Sequence, residues 1–133
     1  MSRATYYDIA MKGYAQLESM FLIAQETDWY NTFTFHCVQI VEKLMKDILT
    51  YQNTEEYLMS SHNIKTLARE INKTYPGLFD LHECSWLTDF STNTMYPSVN
   101  YIDIDRSTGL EVYNMTQLFL SKMIPICESN HAK

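Results

Sequence analysis

Trp29-Tyr-Asn-Thr-Phe-Thr-Phe-His-Cys-Val-Gln-Ile-Val-Glu-Lys-Leu-Met-Lys-Asp-Ile-Leu-Thr-Tyr51 is the stretch whose reading decides the fold. It holds no glycine or proline, and Phe33, Cys37, Ile40, Leu44, Ile48 and Tyr51 return every three or four residues. That spacing matches the 3.6-residue turn of an α-helix and puts these side chains on one face. Glu42, Lys43 and Lys46 fall off the stripe. The pattern predicts a long amphipathic helix, with Asp28 as its N-cap.

The same period extends outward in both directions. Upstream, Tyr6, Ile9, Gly13, Leu17, Met20 and Ala24 predict one helix over 5–26, started by a Thr5–Asp8 capping box. Downstream, the polar stretch 52–61 reads as a loop with room for one short helical turn. Ile64, Leu67, Ala68 and Ile71 mark a helix over 62–75 that Pro76-Gly77 stops. Leu81, Cys84, Leu87 and Phe90 suggest a helix over 78–92, followed by an ordered loop to residue 107. Thr108-Gly-Leu-Glu111 reads as a second capping box, opening a last helix over 109–127 with Val112, Met115, Phe119, Met123 and Ile126 inward. Pro125 is expected to fray or bend its end. The predicted architecture is all-α, an up-and-down four-helix bundle with an additional short helix. The first, second, fourth and fifth helices are its long members, and 1–133 forms a single domain.

Composition agrees. A chain of 133 residues has length for one core, and 3 glycines and 3 prolines are too few for a sandwich of many short strands. A formal net charge of −6 argues against general nucleic-acid binding, which needs a field of Lys and Arg. Cys37, Cys84 and Cys127 are odd in number and widely spaced, which suits buried free thiols in a reducing compartment. No apolar run approaches the ~20 residues that cross a bilayer. Residues 1–8 lack the apolar core of a signal peptide, so the expected location is the cytoplasm.

Within the deciding stretch, Phe35-His-Cys-Val-Gln-Ile-Val-Glu-Lys-Leu-Met-Lys46 resembles a segment of the HEPN family: aromatic-His, then Gln, then Glu-Lys and a further Lys. Ser61-His-Asn-Ile-Lys-Thr-Leu67 is similar to that family's Thr-His-Asp-Leu entry to its third helix, with Asn63 in place of Asp. Met95-Tyr-Pro97 looks like the family's Arg-Tyr-Pro loop, with Met95 in place of Arg. The resemblance implies a helical bundle that dimerises through its long helices. It also implies either a role beside a minimal nucleotidyltransferase, as in toxin–antitoxin pairs, or ribonuclease activity. The family's ribonucleases carry Arg followed four to six residues later by His, near the start of the last long helix.

This chain has three arginines, and none is followed by histidine at that distance. Arg3 meets Tyr7, Asp8 and Ile9; Arg69 meets Lys73, Thr74 and Tyr75; Arg106 meets Leu110, Glu111 and Val112. No catalytic residue is therefore assigned. The expected function is a non-catalytic interaction protein, homodimeric, partnered by a nucleotidyltransferase or binding a nucleotide. A diverged HEPN ribonuclease is the alternative.

Binding candidates are Gln39, Glu42, Lys43, Lys46, Tyr96, Tyr101 and Arg106. The first four share one side of a helix. They form either a solvated face laced by Glu42–Lys46 pairing, the more economical reading, or a polar groove for a phosphate. Tyr96 and Tyr101 either anchor their loop or stack on a base. Among the histidines, His36 reads as packed, His62 as sitting at a helix entrance where its ring or Ser61 caps free N–H groups, His82 as surface and His131 as part of a loose tail. No spacing suggests a metal site or cofactor.

Overall fold

The computed structural model describes residues 4–91, 94–95, 97–98 and 101–133. Their elements are seven helices: α1 (Tyr6–Ala15), α2 (Leu17–Thr27), α3 (Asn31–Thr50), α4 (Glu56–Met59), α5 (Ile64–Thr74), α6 (Leu81–Thr88) and α7 (Arg106–His131). No strand occurs among the described residues. The all-helical expectation is met. At the centre lies α3, which packs against α1, α2, α5 and α7. Its stripe is buried as expected through Ile48, but Tyr51 is exposed. Val38, Val41, Met45 and Leu49 are buried as well, because α3 is enclosed on several sides. Phe21, Phe33 and Tyr113 stack in mutual contact where α2, α3 and α7 meet, with ring centroids 4.7–5.3 Å apart.

Several boundaries differ from the periodic pattern, each for a local reason. The first helix is broken at Gln16, whose N–H donates to Gly13 and Tyr14 carbonyls in a tightened turn. The buried residues of this pair are Ala10, Leu17 and Ala24, whereas Tyr6 and Ile9 are exposed. Small residues decide that face. A Cβ on Gly13 would stand 3.2 Å from Ile40 Cγ1, so α1 lies close upon α3 there. Asp28 does not start α3; it adopts the left-handed conformation at φ 55° and ends α2, its N–H bonding the Ala24 carbonyl.

The predicted fourth long helix shrinks to α6. The Asn72 side chain bonds both the N–H and the carbonyl of Phe79, holding the turn after α5 out of helical geometry, and Asp80 then caps α6. Thus α5 forms the wall against α3, with α6 packed on α5. All four predicted core residues of α5 are buried.

The last helix starts earlier and ends later than 109–127. Its N-cap is Asp105, not Thr108. The Asp105 carboxylate accepts the Thr108 N–H at 2.8 Å, and this bond holds its carboxyl below the ordinary range. The Thr5–Asp8 box is present as expected, with the Asp8 carboxyl lowered by the same kind of bond. Pro125 cannot donate to the preceding turn, yet α7 continues to His131 because Cys127 and Asn130 are buried against the core.

Close packing at the start of α7 gives a testable consequence. A Cβ on Gly109 would lie 2.8 Å from Cδ1 of the buried Tyr30. Gly109→Ala removes a helical glycine, a gain of about 1 kcal/mol. The clash opposes it at about 1–3 kcal/mol. Because Tyr30 has no room to yield, the clash is expected to win, with a net loss of about 1 kcal/mol. Equilibrium urea unfolding reads the sign directly; a stabilised variant would show that Tyr30 can move.

Candidate functional site

Ionisable residues inside α3 are unusual in their burial. Glu42 is 3% exposed and Lys46 6%, while Asp47 is buried one residue on. A fully solvated face is therefore not what this part of α3 presents. Lys46 Nζ donates to Glu42 Oε2 at 3.2 Å, one helical turn apart. His62, placed by the chain entering α5, brings Nδ1 to 3.1–3.2 Å from both Glu42 oxygens. Its ring is largely exposed, so it covers the buried pair from the solvent side. Lys43 Nζ donates to Gln39 Oε1 at 3.0 Å beside this cluster, with both residues half-buried. The structure thus brings Gln39, Glu42, Lys43 and Lys46 together.

Of the two groups expected to cap this helix entrance, Ser61 accepts a backbone N–H and the His62 ring does not. Asn63 caps α5, its side chain accepting the Thr66 N–H, and Ser61 Oγ accepts the Asn63 N–H. His62 is left to pair with Glu42, twenty residues away in sequence. His36 is likewise not packed: it is exposed, edge-on to Phe35, with its imidazole held below the usual range by partial desolvation and then by Lys43.

Tyr101 and Arg106 lie elsewhere. At ~1.5 Å per residue, the start of α3 is about 16 Å along the axis from Glu42. There the fully buried Asn31 organises the loop before α7. Its Nδ2 lies 2.8 Å from the carbonyls of both Thr94 and Ile102, and 3.2 Å from the Tyr101 hydroxyl. Its Oδ1 accepts the Ile104 N–H at 3.0 Å. Tyr101 lines a cavity of about 410 Å³ with Trp29, Thr94, Met95, Pro97 and Ser98. Trp29 also lines a second cavity of about 370 Å³, with Met20, Ile23, Ala24, Thr27, Thr32 and Phe33. Arg106 is the exposed first residue of α7. Tyr96 lies outside the described residues.

His131 was expected in a loose tail but closes the last turn of α7. Its Nε2 sits 2.9–3.0 Å from both Asp47 oxygens, and the Tyr7 N–H donates to the same carboxylate at 3.3 Å. Neither this link nor the Asn31 hub is visible as a sequence motif, because Asn31 and Asp47 stand outside the predicted apolar stripe of α3. All three cysteines are free and buried, as expected. Burial pushes the Cys37 and Cys84 thiols up to about 12, and Cys127 higher still, so none is a ready nucleophile. Among the described residues, no cluster of three or more His, Cys, Asp or Glu side chains is placed to hold a metal ion. No helix formed by them is long and apolar enough to cross a membrane.

No curated protein and no solved structure matches the chain. A family model described as HEPN domain, however, matches residues 13–126. That match runs from Gly13 in the last turns of α1 to Ile126 within α7, well over half of the chain, and the chain belongs to the HEPN-domain family.

Proposed function

We propose that this HEPN protein works by binding: as a homodimer, in the cytoplasm, and as the non-catalytic partner of a second protein. A minimal nucleotidyltransferase is the partner the family resemblance suggests. One observation carries this reading. Leu22, Ile23 and Trp29 are 55%, 58% and 44% exposed, and Trp29 lines both of the cavities described above. Large apolar side chains gathered this way on a small domain mark interaction surfaces.

The catalytic alternative has less support. Arg106 and His131 stand at opposite ends of α7, roughly 38 Å apart along its axis. His131 is also engaged by Asp47. A phosphate groove on α3 is weakened because Glu42 already neutralises Lys46, leaving Lys43 to act alone.

Light scattering tests the dimer. Wild-type protein is expected at twice the monomer mass and Ile23→Asp at the monomer mass, with an unchanged helical spectrum. A monomeric wild type would remove the dimer from the proposal. Cleavage of RNA by pure protein, abolished by Arg106→Ala, would overturn the non-catalytic reading itself.

A further inference from the structure

At the opposite end of α3 from Trp29, three helix ends meet around a cavity of about 280 Å³. It is lined by Ala4, Thr5, Tyr6, Ile9, Asp47, Thr50, Tyr51 and His131. We propose that this cavity is a binding site for a small organic cation of the alkylammonium class. Its lining includes Tyr6 and Tyr51, both exposed, and the aliphatic Ile9. Its floor is the buried Asp47 carboxylate. The His131 ring lies between them, packed edge-to-face on Tyr51 with centroids 5.5 Å apart, and 5.1 Å from the Tyr7 ring.

Aromatic faces attract cations through their quadrupoles, most strongly for ammonium groups that are weakly hydrated. The local field has the same preference. Both α3 and α7 end here, at Tyr51 and Ala132, and helix C-termini carry partial negative charge. At the opposing N-terminus of α1, the Thr5 hydroxyl answers the Asp8 N–H and Asp47 itself accepts the Tyr7 N–H. Carboxylates at Glu128, Asp47 and Asp8 act on the neighbouring Tyr7 phenol; after desolvation, their charges help hold it above its ordinary range. Among the described residues, His131 is the one lining residue able to carry positive charge. Its Nε2–H can bond Asp47 in the neutral ring too, so it need not neutralise the floor. The volume corresponds to roughly nine water molecules, enough for a choline-sized head group.

Choline chloride is the probe, with its uncharged carbon isostere dimethylbutanol as the control, read by chemical shifts of the Ile9 methyls and the His131 ring. Choline is expected to saturate these shifts with at least about tenfold higher affinity than the isostere. Tyr51→Leu, a change at an exposed position, is expected to weaken choline about tenfold and leave the helical spectrum unchanged. Asp47→Asn is expected to erase the preference for the charged probe. Equal binding of the two probes, or no shift of Ile9 and His131 up to about 100 mM choline, would overturn the proposal. So would undiminished binding in Tyr51→Leu. The site is distant from Trp29, so dimerisation can fail without affecting this outcome.

Discussion

Replacing Glu42 with alanine is expected to cost about 3–5 kcal/mol of folding stability, the largest effect of any single substitution considered. The reason is Lys46. Its ammonium is enclosed with Glu42 as its ion-pair partner, and deletion of the carboxylate leaves an uncompensated charge in a low-dielectric interior. A solvated pair at the same spacing would lose only about 0.3–0.5 kcal/mol, so burial alone separates the two outcomes by an order of magnitude. Folding stabilities are typically about 5–15 kcal/mol, so the variant should be marginal at physiological temperature.

The double variant Glu42→Leu/Lys46→Leu supplies the control. Removing both charges together eliminates the desolvation penalty, and stability is expected to return close to wild type or above it. His62→Ala should matter far less, since its ring is 74% exposed and solvent can replace it. Urea unfolding of the wild type, Glu42→Leu, Lys46→Leu and the double variant gives the coupling energy directly. If Glu42→Ala loses less than about 1 kcal/mol, Lys46 reaches water and the buried pair is wrongly described.

Asn31→Ala is expected to cost roughly 3 kcal/mol, by a different route. This one amide satisfies the carbonyls of Thr94 and Ile102 and the N–H of Ile104, tying both ends of the loop before α7 to the first turn of α3. Alanine orphans these backbone groups and leaves a cavity besides. For a domain of this size the melting temperature should fall by roughly 10 °C. The effect should also be local. Released from Asn31, the loop no longer positions Tyr101 and Met95 beside Trp29, and the tryptophan emission should shift before global unfolding. Asn31→Asp tests the direction of the bonds. It keeps an acceptor for Ile104 but turns an anion toward two carbonyls, and should be no better than alanine. A melting temperature unchanged by both substitutions would mean that the loop is held by its apolar residues, Ile102 and Ile104.

Much of the bundle was legible because burial and helical period coincide. The α3 and α5 stripes are found where they were expected, and so are Val112, Phe119 and Met123 of α7. The legible part fails where apolar residues occupy more than one face. Around α1 and α2, Tyr6 and Ile9 lie on the predicted stripe yet are exposed, Leu17 and Ala24 are buried as expected, and the small Ala10, off the stripe, is buried too. Periodicity rewards large apolar side chains, whereas close helix contact selects small ones. Boundaries fail for a related reason: Asp28 and Asp105 are both good caps by type, and backbone geometry decides which end of a helix each one serves.

The sequence by itself determined that long amphipathic segments must cover one another, that the chain resembles HEPN proteins over most of its length, and that no arginine has its histidine four to six residues on. These are properties of order and spacing along one strand of chain. Tertiary structure alone decided the electrostatics of α3. Glu42 and Lys46 look like surface residues in any helical wheel, yet the fold buries both and brings His62 onto Glu42. Asp47 acquires His131, 84 residues away, only because α7 runs past Pro125 to the end of the bundle. Spacing within a helix fixes which side a charge leaves from; what it meets there depends on which helix packs against that side. Desolvation, which gives such a charge its energetic weight, is a property of the whole fold.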